Sequence, residues 1–130
     1  MSTPMPVKAA LNIEPVNAYG KPGLRVTVET GSVILDVPTV DALIEELGRL
    51  RSDMQPCVSE QADTKKPFLV ELDPSWHAQS NPLFDGSVLL LRHSGLGWTC
   101  FAIPRPSLER MIETLTEQLE HSNAIEGMVN

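Results

Sequence analysis

Two stretches of the chain follow the same order: alternating strands, a hairpin turn, a proline, a Ser or Thr, and an amphipathic helix. The two helical stripes align at a constant offset, which places Thr39 on Ser107 and Leu47 on Leu115. Such an order combines sheet and helix within each half of the chain. It predicts an α+β fold with a duplicated strand–hairpin–helix (βββα) unit, mainly antiparallel sheet, and two amphipathic helices packed on one face.

In the first half, alternation of apolar and polar residues predicts three strands. The region between the first two contains Gly20, Pro22 and Gly23 and is typical of a loop. A Thr30–Gly31 turn is expected between the second and third strands, and Thr39 is expected to cap the helix. The predicted elements are strand 10–14 ending at Pro15, loop 16–23, strand 24–29 and strand 32–37.

In the second half, the same criteria predict a strand at 67–72 and an irregular loop at 73–86. Strands at 87–93 and 98–103 should form a hairpin, and Ser107 should cap the second helix. The end of the third strand also matches between the two halves, with Val37–Pro38 aligned on Ile103–Pro104. This match requires two extra residues between that strand and the helix in the second half.

The domain prediction follows from the repeat and from a polar, aperiodic stretch between its halves. It consists of a flexible arm at 1–9, one α+β domain at 10–121 with half-repeats 10–54 and 67–121, a linker at 55–66, and a flexible tail at 122–130.

The chain has 130 residues, enough for one domain with a core of its own. No apolar run approaches the ~20 residues that span a bilayer, and the first residues lack the basic and apolar parts of a signal peptide. We therefore expect a cytoplasmic protein without membrane contact. Cys57 and Cys100, both isolated in sequence, are expected to be free thiols.

The net charge of −7 disfavours direct binding to nucleic acid and favours a protein partner with a basic surface. Simple solubility would also explain such a charge. Along one side of the second helix, acidic residues recur at spacings of four, four and three, and this side is a candidate docking surface: Glu109, Glu113, Glu117 and Glu120.

The second hairpin is apolar on both faces, at 88–91 and at 98–103. Strands of this kind are usually covered on both sides. The cover could be the 73–86 loop, the N-terminal arm or a second subunit, and we favour a homodimer.

Patterns that carry chemistry are missing from the sequence. The histidines and cysteines lack metal-ligand spacing, and neither a phosphate-binding loop nor a nucleophile elbow is present. We expect no metal, no cofactor and no enzymatic activity. The one exception to weigh is an acid–base pair formed by Asp73 and His77.

The sequence thus favours a non-catalytic protein-binding module of the inhibitor, immunity-protein, adaptor or chaperone type. Besides the acidic helix side, its partner-binding residues are expected to be Trp76, His77, Phe84 and Trp98. The alternative is a small-ligand-binding domain, with a pocket under the 73–86 loop lined by Trp76, Phe84 and Trp98. An enzyme using Asp73 and His77 is the third hypothesis.

Overall fold

The structure, a computed structural model, describes residues 11–129. These residues form two three-stranded antiparallel sheets and two helices, which confirms the α+β class. The chain divides into two compact units, Met1–Lys66 and Pro67–Asn130, each with one sheet followed by one helix. The arm expected at 1–9 lies outside the described residues, and a single domain over 10–121 stays a prediction.

The first sheet has its strands in sequence order, and a two-residue turn closes its first hairpin. Tyr19 and Gly20 form this turn with φ of 54° and 79°, the left-handed pair that a tight hairpin turn of this type requires. The expected loop at 16–23 was therefore wrong. The three strands are β1 (Asn12–Ala18), β2 (Lys21–Val28) and β3 (Gly31–Asp36).

Two prolines that suggested loop structure lie inside these strands instead. Pro15 pairs with Leu24 on the edge strand β1, so its missing N–H can face the open edge. Pro22 pairs with Asn17, and the pairing between β2 and β3 begins only at Gly23. Neither proline therefore removes a hydrogen bond that the sheet needs.

The second turn of this sheet is displaced by one residue from its predicted position. Val28 pairs with Gly31, so the turn is Glu29–Thr30 and not Thr30–Gly31. Gly31 opens β3 with φ 153°, a backbone region that residues with a side chain rarely adopt. The glycine thus serves the start of the strand rather than the turn.

Helix α1 (Val37–Ser52) follows β3 without an intervening residue. Asp36 is its N-cap, and the Asp36 carboxylate accepts a hydrogen bond of 3.0 Å from the Thr39 backbone N–H. The prediction of Thr39 as the cap was wrong, because the helix already begins at Val37. Pro38 lies in the first turn of the helix, where its missing backbone N–H costs no hydrogen bond.

The second sheet is also ordered by sequence, but its first strand is not the predicted one. Residues 67–72 are unpaired, and Trp76–Asn81 forms the strand, inside the region expected to be the 73–86 loop. Both predictions were wrong because a tight turn at Pro82–Leu83 closes with less loss of chain entropy than a long loop. The strands are β4 (Trp76–Asn81), β5 (Phe84–His93) and β6 (Gly97–Pro104).

Helix α2 (Arg105–Val129) begins directly after β6. Its first residue is tied to the second sheet, because the Arg105 guanidinium donates hydrogen bonds of 3.0 and 3.1 Å to the Asp85 carboxylate. The helix includes 122–129, where the sequence predicts a flexible tail.

None of the side chains that the structure describes is fully buried. Val40 and Ile44 of α1, and Leu108 of α2, are partly covered. The remaining apolar side chains of the two predicted helical stripes are exposed: Leu43, Leu47, Leu50, Met111, Ile112, Leu115 and Leu119. Packing of both helices on one sheet face stays a prediction.

A glycine in the central strand of each sheet lies against the strand that leads into the helix. A Cβ at Gly23 would lie 2.6 Å from the Leu35 carbonyl oxygen, and a Cβ at Gly86 would lie 2.0 Å from the Ile103 carbonyl oxygen. These distances are too short for any side chain, so each strand-to-helix junction requires a glycine beside it.

We expect Gly23→Ala and Gly86→Ala each to lower the free energy of unfolding by about 1–3 kcal/mol, since backbone must move to admit the methyl group. Gly48→Ala is the matched control. It lies in α1 with nothing within 4 Å of an added Cβ, and should stabilise by about 0.5–1 kcal/mol. Urea unfolding measures all three, and equal effects at the three sites would contradict the close-approach explanation.

Candidate functional site

The second sheet presents apolar side chains on both of its faces. Because residues directly opposite in an antiparallel sheet share a face, Trp76 lies on the same face as Leu91 and Thr99. Trp98 pairs with Arg92, which is one residue further along β5 and therefore on the opposite face. The two tryptophans, 67% and 53% exposed, thus point away from opposite sides of one sheet.

This arrangement does not fit the expected ligand pocket. The loop that should cover it is replaced by β4, and Trp76 and Trp98 cannot line one cavity from opposite faces. Phe84 is partly buried, with a ring atom 2.9 Å from the place a Cβ at Gly86 would take. The structure therefore does not bring Trp76 and Trp98 together around one pocket, and a small-ligand site in this unit stays a prediction.

The two residues considered for acid–base chemistry have separate environments. Asp73 lies before β4 with φ 48°, and His77 lies exposed in β4. The His77 Nε2 is 3.2 Å from the Gln79 Oε1, and within residues 11–129 no hydrogen bond joins Asp73 to His77. The geometry offers His77 as a polar contact on the sheet surface.

Helix α2 combines an apolar side with an acidic side. The four glutamates named above are all exposed, and their spacing places them along one side of the helix. The apolar stripe runs along another side, where Met111, Ile112, Leu115 and Leu119 are 39–63% exposed. The helix therefore offers a partner an apolar contact strip flanked by negative charge.

The unpaired segment 67–72 is the most exposed apolar stretch in the second unit. Phe68, Leu69, Val70 and Leu72 are 60%, 96%, 82% and 90% exposed. Sequence reasoning identified this segment as strand-forming, but gave no sign that its own unit leaves it without a neighbouring strand.

Glu71 ties this segment to the turn between β5 and β6. The Glu71 carboxylate accepts hydrogen bonds from the hydroxyl and from the backbone N–H of Ser94, the latter at 2.8 Å. The His93 Nδ1 lies 3.7 Å from the same carboxylate, and it accepts hydrogen bonds from the Gly95 and Leu96 N–H groups. These bonds fix one side chain of the segment and leave its backbone unpaired.

Residues 11–129 contain no cluster of three or more potential metal ligands, and both cysteines are exposed free thiols. Two depressions of about 260 and 270 Å³ lie on the first unit, one of them lined by Val26, Val28 and Val33 among others. None of the described helices is long and apolar enough to cross a membrane.

Comparison with protein-family models, with curated proteins and with solved structures finds no match to this chain.

The Glu71 contacts predict a pH effect. Two hydrogen bonds from Ser94 lower the pKa of Glu71 below its usual 4.5. The bond from the Ser94 hydroxyl has the larger effect, and the bond from the Ser94 backbone N–H has the smaller one. Because the folded pKa is the lower one, this tie stabilises the fold above about pH 4.5 and is lost as the pH falls through the folded pKa.

We expect Ser94→Ala to move the pKa of Glu71 up toward its usual value, since the main donor is removed. Carboxyl chemical shifts in an NMR titration measure this, with Ser32→Ala in the first unit as the control. An unchanged Glu71 titration in Ser94→Ala would show that the tie does not form.

Proposed function

We propose that this protein is a non-catalytic protein-binding module that acts in the cytoplasm and recognises a partner with a basic surface. The contact would be made by the apolar stripe and acidic side of α2, together with the apolar surface of the second sheet. The observation that carries the proposal is the absence of any fully buried side chain among the residues described, while apolar side chains lie exposed in rows.

The exposed area supports a need for partners. The chain exposes 11654 Å², whereas two separate compact domains spanning residues 11–129 would expose about 7,700 Å². The eleven residues outside that range could add at most about 1,750 Å². About 2,200 Å² per chain then remains, which the irregular residues 53–75 share with the exposed apolar rows of α2 and of the second sheet.

The chemistry of α2 supports a basic partner. An apolar strip gives affinity through burial, and the glutamates beside it favour approach by lysine- or arginine-rich surfaces. Arg110 lies among these glutamates, but its guanidinium donates to the Ser107 hydroxyl at 3.0 Å. The exposed acidic side is thus available to charges from outside.

The exposed tryptophans support a second area of contact. Trp76 and Trp98 are large side chains with one apolar body and one N–H donor, a combination that is enriched at interface hot spots. His77 lies next to Trp76 on the other face of β4 and can add a hydrogen bond. A partner would therefore meet an aromatic anchor on either face of this sheet.

We further propose that the two units are copies of one βββα element. The helices begin at Val37 and Arg105, an offset that places Pro38 on Pro106 and keeps Thr39 on Ser107. This correspondence replaces the match of Pro38 with Pro104, which is the last residue of β6. The glycines beside the two strand-to-helix junctions support the same proposal.

The proposal is tested by affinity capture of the tagged protein from a nuclease-treated lysate of its native host. We expect one stoichiometric protein with a basic surface, released as salt is raised, because exposed charges are screened. Leu115→Asp with Leu119→Asp should abolish capture, and Glu113→Lys with Glu117→Lys should reduce it about tenfold or more at low salt.

The control for the charge reversal is Glu29→Lys with Glu45→Lys, which changes the net charge equally but in the first unit. Circular dichroism should show that every variant keeps its helix content. Capture that is equally weakened by both charge pairs would indicate general attraction only. Capture that survives the leucine changes would remove α2 from the proposed site.

A further inference from the structure

Residues 67–72 lie beyond the end of the sheet that follows them. The last hydrogen bond between this part of the chain and β5 is made by Ser75, the residue before β4. Its carbonyl oxygen accepts a bond of 2.9 Å from the Arg92 backbone N–H. Asp73, with φ 48°, and Pro74 then turn the chain away from the line of β4. Because β5 itself ends at His93, residues 67–72 cannot continue the pairing of β4 with β5, and they pair with neither edge of the second sheet.

The segment is nevertheless a good strand in its composition. Its sequence, Pro-Phe-Leu-Val-Glu-Leu, is rich in residues that favour strands, and its single charge is held by Ser94. An exposed strand of this kind presents free N–H and C=O groups to another chain. The usual safeguards of such an edge, an internal proline or an added lysine, are missing between Phe68 and Leu72.

A second copy of the segment is a complementary partner. If two copies run antiparallel with Val70 at the twofold axis, Val70 meets Val70 and Phe68 meets Leu72 on one face. Every side chain on that face is then apolar and has an apolar neighbour. A twofold arrangement of this kind closes as a dimer and leaves no free copy of the segment.

Charge gives the direction of the pairing. Lys65 and Lys66 precede the segment, whereas Glu71 and Asp73 lie at its other end. An antiparallel pair places the basic end of each copy beside the acidic end of the other. A parallel pair would place like charges together, which is unfavourable across strands.

We propose that residues 67–72 are the dimerisation strand of this protein, pairing antiparallel with the same residues of a second copy. The Glu71–Ser94 bonds hold the strand in position before the copies meet. The dimer uses part of the surplus exposed area and leaves α2 free for another partner. The proposed dimer does not depend on the partner-binding role of α2, and it would form even if α2 bound no partner.

The first test is a charge at the twofold axis. Wild-type protein should sediment as a dimer at micromolar concentration, and Val70→Lys should raise the dimer dissociation constant about tenfold or more, since two lysines would meet. Val58→Lys is the matched control, because Val58 is 71% exposed but lies outside the segment. It should leave the dimer unchanged.

The second test fixes the register. In a Cys57→Ser, Cys100→Ser background, Val70→Cys should form a disulfide-linked dimer on mild oxidation, because opposed residues of an antiparallel pair have Cα atoms about 4.5–5.5 Å apart. Val58→Cys should not. Lys66→Glu and Asp73→Lys should each weaken the dimer. The double variant should dimerise more tightly than Asp73→Lys alone, because it restores opposite charges at the two ends of the segment. Both of these variants carry Asp73→Lys, so any backbone strain at residue 73 affects them equally.

A monomer at all concentrations would overturn the proposal. So would a dimer that Val70→Lys and Val58→Lys affect equally, because its interface would lie elsewhere. These outcomes are separate from failure of the partner-binding role, which is measured by the leucine and glutamate variants of α2 in lysate capture.

Discussion

The close contact between a central strand and a strand-to-helix junction sets the form of each unit. Neither junction has a connecting loop, so the last strand residue and the first helix residue are consecutive. The helix must then leave the sheet at the end of an edge strand, beside Gly23 in one unit and Gly86 in the other. Only its first turns can contact the sheet, and this is why Leu108 is partly covered whereas Leu115 and Leu119 are exposed.

The elements that could be predicted from sequence are those with strong local signals. The two helices follow from their 3.6-residue periodicity, and the strands corresponding to β2, β3, β5 and β6 follow from alternation or from apolar runs bounded by turns. Their ends were less well defined, because Asp36 rather than Thr39 caps α1 and because Glu29–Thr30 rather than Thr30–Gly31 forms the turn. Several residue types can serve at each such end, and small differences in register decide among them.

The errors over residues 67–86 share one cause, which is that pairing cannot be read from a strand's own residues. The polar sequence Trp76–Asn81 pairs with β5, whereas the apolar sequence 67–72 does not. A nearby turn favours the first, because a short loop loses less entropy on closing than a long one. The candidate site was affected in turn, since the register places Trp76 and Trp98 on opposite faces of the sheet and not side by side.

A chain with this much exposed apolar surface also has to avoid indiscriminate association. Its net charge of −7 opposes close approach of unrelated copies, and the glutamates of α2 add that repulsion along the side next to the apolar stripe. The segment 67–72 differs in having opposite charges at its two ends, so repulsion is weakest there for an antiparallel neighbour. Charge thus distinguishes the two contacts that we propose: the strand, with opposite charges at its ends, would pair with a second copy, and the acidic helix would bind a basic partner.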